Sequence, residues 1–286
     1  MSASKRKKLL AGNWKMNMRL GEIEPFFTAF TGALKDEARR HTDILFAAPL
    51  TQLQATLAAC RGRGFAAAAQ NVHFEASGAF TGEVSPVMLT DMGIRTVLIG
   101  HSERRQYFAE SDEAVAKKTV SSMTAAMTPI VCIGESLEER KSGATFNVVS
   151  RQLEAVLKAV QKHGTISVRE GFYPGDITDP LVIAYEPVWA IGTGLSATTA
   201  QAQEVHAFIR KVCLEVLGAD FANAIRILYG GSANPANIAS LLAQPDIDGG
   251  LVGGASLKPA DFAAMCQASP LYAAATQQMT VEPGQP

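Results

Sequence analysis

Five places in this 286-residue sequence hold residue types suited to moving a proton on a bound anion. Glu186 ends the apolar run from Leu181 to Tyr185 and is followed by Pro187. Proline has no N–H to give to a sheet ladder, so a strand must stop at Glu186. A carboxylate at the end of a buried strand, under a loop holding Trp189, Gly192 and Gly194, suits a general base. His101 follows Ile99 and Gly100 just before a helix-start pattern. Unpaired N–H groups at that start should lower its pKa and keep the ring neutral, able to donate a hydrogen bond. Lys15, just after an apolar run ending at Asn13, could set positive charge over an anion. The pairs Gly230-Gly231 before Ser232 and Gly253-Gly254 would let backbone N–H groups approach an anion closely. Taken singly, each has a plainer reading: a strand-capping carboxylate, a packed histidine, a solvated lysine, an ordinary turn.

The elements that would position these groups are legible as periodicity. Eight short apolar runs read as strands: 9–13, 43–48, 65–70, 96–100, 129–133, 181–186, 225–230 and 250–253. Between them, Val205, Phe208, Ile209, Val212 and Val216 follow the spacing of a one-sided helix, as do Val149, Leu153, Val156, Leu157 and Val160. Ser85-Pro86 and Asn234-Pro235 pair a cap residue with proline at a first helical position. Ser136 to Glu139 and Thr198 to Gln201 have capping-box spacing. Eight βα units in this length predict an α/β fold, a closed (β/α)8 TIM barrel with eight parallel strands and surrounding helices. A doubly wound open sheet has the same periodicity. The barrel is preferred because polar and glycine residues end runs 1, 4, 6, 7 and 8, which a barrel gathers on one face. Residues 1–267 are expected to form one catalytic barrel and residues 268–286 a flexible tail.

Composition removes several classes of function. A net charge of −1 gives no electrostatic case for nucleic acid or an acidic membrane. No apolar run approaches the roughly 20 residues that span a bilayer. Cys60, Cys132, Cys213 and Cys266 are scattered without C-x-x-C spacing, which predicts reduced thiols and a cytoplasmic location. No metal site is expected, because the histidines and cysteines show no ligand spacing. The segment 70–83 is a long polar loop whose Phe74 and Phe80 suit an interface, and its His73 reads as a loop residue. Cys132 to Glu135 reads as packing.

Together, Asn13-Trp14-Lys15-Met16-Asn17, Gly100 to Arg105, Tyr185 to Gly194 and Tyr229 to Ser232 resemble the triosephosphate isomerases, in the order expected and from about residue 8 to 267. The resemblance implies interconversion of dihydroxyacetone phosphate and D-glyceraldehyde 3-phosphate without metal or organic cofactor. It implies that Glu186 is the base, that neutral His101 polarises the carbonyl, and that Lys15 with Asn13 stabilises negative charge. Glu103 would hold Lys15. Backbone N–H groups of Gly192, Ser232, Gly253 and Gly254 would cradle the phosphate. The resemblance also implies a homo-oligomer, a dimer first of all, built through loop 70–83, with Thr81 reaching the neighbouring site and Phe80, Gln70, Asn71 and Met16 in support.

Three stretches depart from the family pattern. Leu195-Ser196-Ala197 stands where the lid hinge usually begins with lysine, which should alter lid kinetics. Residues 164–180 make a longer connection, expected to be a surface loop on the face opposite the site. The tail is the third. A catalytically inactive sugar-phosphate-binding barrel or a scaffold protein is the alternative, although binding alone needs no base.

Overall fold

The computed structural model describes residues 6–164, 175–192, 196–270 and 272. Eight parallel strands close into a barrel in sequence order: β1 (Lys8–Asn13), β2 (Thr42–Ala48), β3 (Ala66–Ala69), β4 (Thr96–Ile99), β5 (Thr128–Ile133), β6 (Val182–Tyr185), β7 (Arg226–Tyr229) and β8 (Gly249–Val252). Closure is made by β1 against β8, with Leu9 opposite Gly249 through Gly12 opposite Val252. An open sheet is thereby excluded. Each strand overlaps one of the eight apolar runs, because a strand buried on both faces must be apolar throughout.

Alternation along the strands divides the core in two. Leu9, Ala11, Leu45, Ala47, Ala68, Leu98, Ile130, Val182, Ala184, Leu228 and Leu251 form the cluster inside the barrel. Leu10, Phe46, Val97, Val131, Ile183, Tyr185 and Ile227 face outward and join the helices in the larger cluster. There Phe27, Phe30 and Phe262 pack around Phe46 with ring centroids 4.8–5.4 Å apart.

Helix starts follow the local chemistry. Ser136 and Thr198 each accept from the residue three positions on, Glu139 and Gln201, and both boxes are reciprocal. Ser85 accepts from Met88 N–H, with Pro86 at the first helical position. Asn234-Pro235 differs. Asn234 Oδ1 accepts from Ala236 and Asn237 N–H, making a side-chain-closed turn, and the helix begins only at Ile238.

Both the long connection and the tail differ from expectation where they are described. Residues 165–174 lie outside the described residues, but the segment that follows is no surface loop. Ile177 is buried in the inner cluster, and Thr128 Oγ1 donates to the carbonyls of Ile177 and Asp179. Asp179 pairs with Arg226, which also reaches Asp43. Thr128 and Arg226 begin their strands, so this segment seals the barrel end away from the strand C-termini. Ser269 and Tyr272, within the stretch expected to be a tail, are buried, Tyr272 in the outer core. Residues 273–286 and the hinge residue Leu195 lie outside the described residues.

Candidate active site

Parallel strands bring all eight C-terminal ends to one rim, and the residues singled out above sit there. A cavity of about 440 Å³ is lined by Asn13, Lys15, His101, Glu186, Gly192, Ser232, Gly253 and Gly254. Glu103 lines an adjoining hollow of about 530 Å³, with Met16, Gln70 and Asn71, and reaches the first cavity through Lys15.

Two glycines make room for Glu186. A Cβ on Gly134, just past β5, would lie 1.7 Å from the Glu186 carbonyl oxygen. One on Gly230, just past β7, would lie 2.8 Å from Glu186 Cγ. The carboxylate is 2% exposed and fully engaged: Ser102 N–H donates to Oε2 at 2.8 Å, and His101 Nε2 lies 2.9 Å from Oε1. His101 caps the helix Ser102–Phe108, its Nδ1 accepting from Glu103 N–H at 3.3 Å. A nitrogen that accepts carries no proton, so the neutral ring holds its hydrogen on Nε2, aimed at Glu186.

The expected lowering of the His101 pKa does not hold in this arrangement. Burial pushes it down, but the Glu186 carboxylate against Nε2 outweighs burial and raises it. Reciprocally, burial pushes Glu186 up, and His101 with the Ser102 N–H outweighs that and holds it low. Beneath the carboxylate, burial and then Glu186 itself push the Cys132 thiol well up, which keeps it neutral.

Lys15 occupies the left-handed region, φ +52°, a conformation that costs a side-chain-bearing residue about 1 kcal/mol or more. Two side chains hold it there. Asn13 Oδ1 accepts from Lys15 N–H at 3.0 Å, and Gln70 Nε2 donates to Lys15 O at 2.9 Å. The ammonium is paired with Glu103 Oε1 at 2.6 Å. Ser232 N–H donates to Ala190 O at 2.9 Å, so a phosphate could take that donor only after displacing Ala190.

Glu135 was assigned to packing by the sequence, and its position carries more. It is fully buried and accepts from Tyr185 OH at 3.0 Å and from Trp189 Nε1 at 2.9 Å, while its carbonyl accepts from Val188 N–H. It therefore ties down residues on both sides of Glu186. The only sequence signal was a charged residue at a strand end.

A closed (β/α)8 barrel with a buried carboxylate, an imidazole N–H and two Gly-Gly turns on one rim defines a barrel enzyme equipped for proton transfer beside an anion site. Comparison with known proteins specifies it further. The model of the family described as triosephosphate isomerase matches residues 8–269. A triosephosphate isomerase of Paracidovorax citrulli (strain AAC00-1) is 49% identical over 257 residues, 90% of this chain and 96% of the relative. The chain belongs to the triosephosphate isomerase family.

Proposed function

We propose that Glu186, His101 and Lys15 carry the interconversion of dihydroxyacetone phosphate and D-glyceraldehyde 3-phosphate, the isomerisation that family membership gives this chain. Glu186 takes a proton from the carbon bearing the hydroxyl, and the electron pair moves through the new carbon–carbon double bond onto the carbonyl oxygen. His101 Nε2–H and the Lys15 ammonium stabilise that oxygen while the enediolate exists. The protonated carboxyl then returns its proton to the neighbouring carbon, and His101 helps the hydroxyl proton change oxygens. Asn13 holds the Lys15 backbone and Glu103 its ammonium. Gly192, Ser232, Gly253 and Gly254 offer backbone N–H groups to the phosphate.

The observation that carries this reading is the Glu186–His101 contact inside the cavity. It brings a base and a neutral donor within one substrate's reach. A coupled assay of glyceraldehyde 3-phosphate turnover tests it. Glu186→Gln should lower turnover by about 10²-fold or more. No turnover in folded wild-type protein would leave the sugar-phosphate-binding barrel as the reading.

A homodimer is the second part of the proposal. Met16 is 93% exposed beside Lys15, and Phe80, Val87, Met88, Tyr107 and Phe108 are exposed as well. These apolar surfaces need a cover, and the tip of loop 70–83 with Thr81 suits the hollow beside Lys15 of a second copy. Phe80→Asp should shift the sedimentation of the protein toward the monomer. A cytoplasmic location agrees with a glycolytic family, and among the described residues no helix is long and apolar enough to cross a membrane.

A further inference from the structure

Glu186, just past β6, packs against the turn that leaves β5. Its N–H donates to Ile133 O at 2.8 Å, and two residues on, Val188 N–H donates to Glu135 O at 3.1 Å. The peptide groups of Gly134 lie between these two bonds, and both are taken by one side chain. Gly134 N–H donates to Gln152 Oε1 at 2.8 Å, and Gln152 Nε2 donates to Gly134 O at 3.2 Å. Gln152 is 5% exposed on the helix Thr145–His163, flanked by buried Val149, Leu153 and Val156.

We propose that Gln152 is a positioning residue for the base: its amide clamps Gly134 from behind and thereby fixes the place of Glu186. This rests on the reading of Glu186 as the base. Three features make the coupling direct. Gly134 meets the Glu186 carbonyl so closely that no Cβ fits between them, so the turn cannot move without moving Glu186. Beside this contact runs a cavity of about 370 Å³ lined by Ser102, Gly134, Gln152, Glu186 and Val188, so packing alone does not hold the turn. Finally, the only polar groups on Gly134 are those that Gln152 satisfies. Neither partner water nor another side chain is needed to complete them. A base misplaced by about 1 Å can lose 10²-fold in rate, so a small release of the turn is enough to register.

The test is a double-mutant cycle on the full-length enzyme, with kcat and KM measured for Gln152→Met in the wild type and in Glu186→Asp. The methionine variant should lose about tenfold in kcat with KM within about twofold, the signature of a change felt in the transition state. In Glu186→Asp, whose carboxylate is already displaced, the same substitution should change kcat by less than about twofold. A folded methionine variant with wild-type kcat, an equal loss in both backgrounds, or a loss confined to KM overturns the proposal. Gln152→Glu provides a second arm if the methionine variant does not fold. Its ionised carboxylate would face Gly134 O without a proton to donate, and protonation would restore the donor. Its kcat relative to wild type should therefore rise as pH falls, and a flat ratio overturns the proposal. If Glu186→Asp itself leaves turnover unchanged, the assignment of the base fails, whatever Gln152 does.

Discussion

His101 Nε2 and Glu186 Oε1 are 2.9 Å apart, so the proposed donor and the proposed base hold each other. Each stabilises the other's charged form, which is the opposite of what either needs while reacting. In the proposed reaction substrate has to part them, leaving the carboxylate free to accept a proton and the imidazole neutral against the carbonyl oxygen.

The His101 titration reports this contact. In the folded protein its pKa should lie above the ordinary 6.5, and Glu186→Gln should bring it down, because burial and the helix start are then opposed only by the more distant Glu103 carboxylate. The sign for stability follows. A raised histidine pKa stabilises fully below the unfolded value, and that contribution is lost as pH rises through the folded value. NMR of the imidazole from pH 5 to 9 reads it. An unmoved pKa in Glu186→Gln would count against the contact.

His206 makes the opposite prediction. It is fully buried between Tyr185 and Tyr229, and burial, aided by Arg210, lowers its pKa to about 3. The unfolded chain takes up a proton that the folded chain refuses, so stability falls as pH drops from about 6.5 toward 3. One proton corresponds to about 1.4 kcal/mol per pH unit. Urea midpoints from pH 7 to 4.5 should fall more steeply in the wild type than in a folded His206→Gln variant.

Ala109 and Ala126 sit at φ +53° and +56°, where an L side chain crowds the following carbonyl. Glycine relieves that strain but adds freedom to the unfolded chain. Ala109→Gly and Ala126→Gly should each stabilise by up to about 1 kcal/mol, read as a higher Tm. At the helical Ala116 the same change should destabilise by about that amount.

Glu135→Leu would strand the Tyr185 hydroxyl and take the Glu135 carboxylate away from the Trp189 indole N–H. The expected cost is about 1–3 kcal/mol for the hydroxyl left buried without a partner. The fluorescence of Trp189 should change with it. Since Trp14 is the only other tryptophan, Trp14→Phe isolates the signal.

The sequence by itself determined the barrel and which candidate residues would gather on its rim. Buried parallel strands must be apolar on both faces, so eight apolar runs marked them, and glycines, prolines and charged residues marked where each run had to end. Glu186, His101, Lys15 and the Gly-Gly turns were legible because each lies at such an end. Contacts between distant segments were not. Glu135 reads as one more strand-end carboxylate until Tyr185 and Trp189 arrive from 50 and 54 residues away. Gln152 reads as a polar residue on an amphipathic helix until Gly134 turns both of its peptide groups toward it. Ile177 reads as part of a loop until closure of the barrel gives it an interior to enter. The sign of the His101 shift belongs to the same class. A helix start is local and could be read along the chain, whereas the carboxylate that outweighs it comes from another strand, and only the tertiary structure sets a charge–charge distance.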